Sequence, residues 1–175
     1  LKRLSPHTPV VIGGIEASLR RLTHYDYWSD KLQQSILATS GADLLIYGMG
    51  DKVIREVARA MRNGFNMKLL RGLRQVGFVA DKEYVEKLYS GKSIVLNSYE
   101  RGCEDKHSFG ENFVRMETLS NMMECDTTLI EPTGDRFVVI TPPHATLTTE
   151  ELDRSFDLPY ERAPHPRYRN RGDIP

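Results

Sequence analysis

Two glycine-bearing turns near the start of the chain have the residue types to hold a ligand. Gly13-Gly14 closes the apolar run "TPVVIGG" (8–14), and Gly48-Met49-Gly50 follows "ADLLIYG" (42–48). Glycine at a strand end lets a phosphate or another backbone approach closely. In an open α/β sheet, ligands bind at the C-terminal ends of the strands. Gly13, Gly14, Gly48, Gly50 and the neighbouring Asp51 are therefore the candidate cofactor-binding residues. Neither turn has the G-x-G-x-x-G spacing of a dinucleotide fingerprint or the G-x-x-x-x-G-K-[ST] of a P-loop. The alternative is that both simply make tight turns between strand and helix.

A second stretch, "THYDYWSD" (23–30), offers His24, Asp26 and Asp30 for metal ligation or acid–base work. Their spacing matches no standard metal signature, and Tyr25, Tyr27 and Trp28 point instead to packing. Arg20-Arg21 and the "RYRNR" run at 167–171 could contact phosphates. The first pair reads as a solvated or ion-paired helix face, the second as decoration of a linker. Met116, Met122 and Met123 read as core filling. His107, His144 and His165 stand alone, and no serine, cysteine or histidine arrangement suggests a nucleophile. No catalytic residue and no metal ligand is assigned.

These residues need elements to position them. The strands at 8–14 and 42–48 alternate with helical runs at Ala17–Leu22, at 28–41 with Ser29 as N-cap and Gly41 as C-cap, and at 52–64. A third strand is expected at 74–81. Strand, glycine turn, helix, repeated, is the rhythm of a parallel sheet. The predicted fold is α/β: a partial doubly wound parallel sheet over residues 1–80, similar to flavodoxin-like domains. A small α+β segment follows over 81–157, with a strand at 92–100, a helix within 104–125 and a hairpin at 127–143 turning at "PTGD". A short helix then opens at Thr148 or Thr149 with acids behind it. Residues 158–175 read as an extended linker rich in proline and arginine.

Composition narrows the function. The chain has 175 residues, and its 24 lysines and arginines balance 24 aspartates and glutamates. That neutrality gives no electrostatic argument for wholesale nucleic-acid or membrane binding. No apolar stretch approaches the roughly 20 residues of a membrane span, and no signal peptide is evident. Cys103 and Cys125 are too few and too far apart for a disulfide framework, so they read as reduced thiols of a cytoplasmic protein. The opening at Leu1 and the ending in "RGDIP" read as a piece of a longer protein.

"PVVIGGIEASLRRLTHYDYWSDK", "ADLLIYGMGDKVIREVARAM" and "GDRFVVITPPHATLTTEELDRSFDLPYERAPHPRY" together resemble the N-terminal region of the YgiQ-like radical SAM proteins, large bacterial iron–sulfur proteins of unassigned reaction. The resemblance implies a downstream core that holds a [4Fe–4S] cluster on a C-x3-C-x2-C loop and binds S-adenosylmethionine. Neither cysteine here fits that spacing, so no cofactor is expected in these residues themselves. The implied partner is the chain's own downstream core, with an unknown substrate. The α/β part is also similar to cobalamin-binding domains, in which a "GG" lies beside the cobalamin nucleotide tail, although their D-x-H-x-x-G motif is absent. The leading expectation is a non-catalytic domain that caps or positions the radical SAM barrel, with "HYDYWSD" packed near that interface. The rivals are a cobalamin- or nucleotide-binding module and an RNA- or partner-binding adaptor using Arg20, Arg21 and the arginine-rich tail. An exposed sheet edge also allows self-association.

Overall fold

The computed structural model describes residues 2–88, 92–161 and 163–168. Of the expected linker, residues 169–175, with part of "RYRNR" and the closing "IP", lie outside the described residues. The chain divides into two compact units, Leu1–Ala145 and Thr146–Pro175.

The first unit is built on one open sheet of six strands. In chain order these are β1 (Val11–Gly13), β4 (Leu44–Ile46), β5 (Val76–Ala80), β6 (Ser93–Val95), β7 (Thr128–Thr133) and β8 (Arg136–Ile140). A separate two-stranded hairpin holds β2 (His24–Asp26) and β3 (Lys31–Gln33). The spatial order is β1-β4-β5-β8-β7-β6, so residues of the expected segments 1–80 and 81–157 share this one sheet.

The α/β architecture expected from the sequence is present, with helices on both faces. On one face Leu44, Ile46, Val76, Phe78 and Val139 lie under Val53 and Val57 of α3 (Asp51–Arg62) and Val85 of α4 (Lys82–Leu88). On the other, Leu45, Leu129, Val138 and Ile140 pack with Ala17 of α1 (Ile15–Leu19) and Leu37 of α2 (Ile36–Ser40), with Met116 and Leu119 of α6 (Lys106–Ser120) against them. The short helix α5 (Tyr99–Glu104) precedes α6. Period-2 alternation explains how one strand feeds both cores: Leu44 and Ile46 face one way and Leu45 the other.

Strand direction is more varied than the βα rhythm suggests. β1–β4 and β6–β7 pair in parallel, whereas β4–β5, β5–β8 and β7–β8 pair antiparallel. After α3, the segment at 63–74, including a 3-10 turn at Met67–Gly72, returns the chain to the end of the sheet it had left. β5 therefore starts beside the end of β4, where the Gln75 side chain donates to the carbonyls of Tyr47 and Met49.

The expected helix at 28–41 is corrected. Residues 31–33 are a strand, and only Ile36–Ser40 is helical. Ser35, not Ser29, is the N-cap and accepts the Leu37 N–H, while Gly41 closes the helix in the left-handed region as expected. Ser29 belongs to the hairpin turn, where its N–H and hydroxyl both donate to Asp26. The methionine stripe is corrected as well: Met116 packs on the core, but Met122 and Met123 are exposed.

In the second unit α7 (Thr149–Phe156) carries a full capping box. Thr148 accepts the Glu151 N–H, and Glu151 accepts the Thr148 N–H.

Candidate functional site

The pairing of Gly13 with Ile46 sets the two glycine turns side by side at the C-terminal ends of β1 and β4. Gly13, Gly14, Gly48 and Gly50, with Ile46 and Ile54, line a shallow concavity of about 290 Å³. Asp51 is not among its lining residues; it begins α3, and its carbonyl accepts a hydrogen bond from Arg55. The glycines also have local reasons to be there. A Cβ at Gly50 would sit 2.8 Å from the Ile46 side chain, and one at Gly13 would sit 3.2 Å from the Ile46 carbonyl. Gly14 and Gly48 adopt φ of 91° and 64°, which L side chains rarely tolerate. The described wall is made of glycine, valine and isoleucine, so a phosphate there would meet backbone N–H groups alone. One of these, Gly48 N–H, already donates to Ser18.

Two side chains that sequence reasoning did not single out hold this edge together. The Ser18 hydroxyl donates to the Gly14 carbonyl while accepting the Gly48 N–H, which ties one glycine turn to the other. Gln75 works from the opposite side. It is buried at φ 63°, an uncommon conformation for a residue with a side chain. Its amide nitrogen donates to Tyr47 and Met49, and its amide oxygen accepts the His144 N–H. A strained, fully used glutamine of this kind marks an edge whose shape is specified rather than incidental.

Beside the glycine turns, with Gly48 on the shared wall, lies a second cavity of about 300 Å³. Arg21 forms one wall, and Met116, Leu119, Cys125, Leu129 and Ile140 are among the other lining residues. The two arginines singled out by sequence thus part company. Both are half-buried, but Arg20 ion-pairs with Glu16 and Asp26, whereas Arg21 turns to Tyr47 and the cavity. The Arg21 guanidinium lies 5.2 Å from the Tyr47 ring centre and donates to the Ser18 carbonyl at 2.6 Å. Burial lowers its pKa, offset in part by Tyr47 and Glu117. Among the described residues no carboxylate reaches ion-pair distance of it. Tyr47, its own pKa raised by burial, donates to the Thr141 carbonyl at 2.6 Å. Arg74 fixes the far wall by donating to the carbonyls of Pro143 and Cys125 and to the Asp126 carboxylate.

The "THYDYWSD" stretch is the β2–β3 hairpin, and its polar groups serve the hairpin itself. His24 Nδ1 lies 3.1 Å from the Leu22 carbonyl, and Tyr25 donates to Asp30, which turns the chain at φ 52°. Among the described residues no three histidine, cysteine, aspartate or glutamate side chains gather as a metal site would require. The expected packing of the aromatics is corrected within this chain: Tyr27 is 77% and Trp28 89% exposed.

Glu131 is buried beneath the start of this hairpin, where its carboxylate accepts the Thr23 N–H at 2.9 Å. Burial raises its pKa to about 7, against the opposing effect of the Thr23 hydrogen bond and with a small further push from Glu100. A signal for it existed in the sequence. Alternation along "TLIEPT" puts Glu131 on the same face as Leu129.

The whole chain, residues 1–175, matches the Radical SAM N-terminal family. The chain belongs to that family. It is 44% identical to a UPF0313 protein of Porphyromonas gingivalis over 98% of its own length and 27% of that protein. It is 43% identical to a UPF0313 protein of Bacteroides thetaiotaomicron, over 98% of itself and 29% of the relative. A UPF0313 protein of Clostridium botulinum is 37% identical over the full chain and 26% of its own length. The chain therefore spans between a quarter and a third of these curated relatives. No solved structure matches it.

The two cysteines do not suit an iron–sulfur cluster. Cys103 is exposed on α5, while Cys125 is buried in the loop after α6, with its carbonyl held by Arg74. Three thiolates on one loop cannot be assembled from them. No helix of the described residues is long and apolar enough to cross a membrane.

Proposed function

We propose that this domain is a non-catalytic cap that docks on, and positions, the cluster-bearing core of a cytoplasmic radical SAM protein. The observation that carries the reading is the β2–β3 hairpin, which holds Tyr27 and Trp28 out into solvent on a turn locked by Asp26 and Ser29. Tryptophan and tyrosine on a rigid support are the residues that most often anchor protein–protein contacts. The Radical SAM N-terminal family names the kind of core such a domain accompanies. Iron–sulfur chemistry on S-adenosylmethionine belongs to that core, and none of its steps runs through residues of this domain.

Hydroxyl-radical footprinting of the full-length protein, compared with this domain alone, tests the reading residue by residue. Tyr27 and Trp28 should be strongly protected in the full-length protein. Equal labelling in both samples would show that the hairpin does not dock on the rest of the chain.

A second reading places cobalamin or a nucleotide at Gly13, Gly14, Gly48, Gly50 and Asp51. The concavity shared by the four glycines favours it. It requires a saturable calorimetric or spectral response to cobalamin or ATP that is lost in Gly14→Val, and it fails if neither ligand binds the full-length protein.

A further inference from the structure

We infer that the cavity walled by Arg21 is a binding site for a small organic carboxylate with an apolar body. An arginine keeps its charge at any physiological pH, and leaving that charge unpaired out of water is costly. Among the described residues, Arg21 donates to the Ser18 carbonyl and stacks on Tyr47, and no second acceptor takes up the rest of its donor fork. The space it faces is open, about 300 Å³, at the lower end of the range for small-molecule pockets.

The lining selects the ligand class. Met116, Leu119, Leu129 and Ile140 offer apolar contact, and among the described residues Arg21 alone brings a charge to the wall. A carboxylate brings one negative charge and two coplanar oxygens, which match the guanidinium fork. A free phosphate brings more charge than one arginine balances and no body to fill the apolar part. The walls are also fixed beforehand. Tyr47 is tied to Thr141 and the Cys125 loop is tied to Pro143 through Arg74, so little ordering is left for binding to impose.

The site can be tested in the full-length protein with methyl-labelled methionine and hexanoate as the probe. Met116 and Met122 line the cavity, whereas Met67 packs into the core on the opposite face of the sheet. Hexanoate should shift the Met116 and Met122 methyl signals saturably and leave Met67 in place. Hexanol and inorganic phosphate should each bind at least about ten-fold more weakly, since each lacks one half of the recognised ligand. R21M, which keeps the side-chain stem and removes the fork, should weaken hexanoate by a similar factor of about ten or more. Ser120 is exposed at the cavity rim, so S120W should fold normally and block entry even if R21M proves unstable. Absence of a saturable shift, equal affinity in R21M, unimpaired binding in S120W, or phosphate binding as well as hexanoate would each overturn the assignment.

Discussion

Two charged side chains are held largely away from water on the same side of the sheet, and the fold treats them differently. Among the described residues Glu131, under the hairpin, is packed without a cation and takes a backbone N–H from Thr23. A carboxyl can give up its charge by binding a proton, and its pKa of about 7 shows that compromise. Arg21, at the strand ends, has no such exit, because a guanidinium does not lose its proton at accessible pH. It is correspondingly left facing a cavity with its donors in reserve. A closed pocket suffices for the acid; the base needs an opening.

The sharpest way to break this contrast is E131Q, which keeps the shape and removes the titration. Glu131 holds its proton more tightly when folded than at its ordinary value of 4.5, so its contribution to stability is fully present below that value. It is lost as the pH rises through about 7. At pH 8 E131Q should therefore be more stable than the wild type by up to about 3 kcal/mol. The two proteins should converge near pH 4, as read by urea unfolding across that range. Parallel pH profiles would mean that Glu131 is not protonated in the fold.

A smaller effect is expected at the other charge. R21M removes a desolvated cation and keeps most of its packing, so stability without ligand should rise by about 1 kcal/mol. A loss of several kcal/mol in the same denaturant series would mean that Arg21 is a structural strut, and the contrast with Glu131 would collapse. The smallest effect belongs to Arg20, its neighbour in sequence. R20A should change stability by less than about 0.5 kcal/mol, because its contacts with Glu16 and Asp26 are long, 3.5 and 3.7 Å. A larger loss on thermal unfolding would show that the surface pairs hold α1 in place.

The Arg20–Arg21 difference also shows where sequence stops being informative. The strands at 8–14 and 42–48, their glycine turns and the hairpin turn near Gly134 were legible because apolar runs and glycines report local backbone needs. Gly41 as a helix stop was legible for the same reason. The β2–β3 hairpin was not, because "HYD" and "KLQ" carry little of the β-branched alternation that marks a strand, and its turn uses Asp30 rather than glycine. Four of the five candidate site residues meet at one concavity, because the parallel pairing of β1 with β4 sets the two turns side by side. The second cavity was invisible. Nothing in "LRRL" distinguishes an arginine on the surface from one under α6, since α6 lies some 90 residues further along the chain.

The strand order carries a consequence for how the protein is made. β5 ends at Ala80, but its outer neighbour β8 begins only at Arg136. During synthesis, the first half of the sheet must wait for more than fifty further residues before its open side is closed. Throughout that interval the outer edge of β5 presents unmatched backbone groups to the cell. Such a strand is a natural target for chaperones and for pairing with another nascent copy. Slowed translation between residues 80 and 136 should therefore lower soluble yield more than the same delay after Ile140.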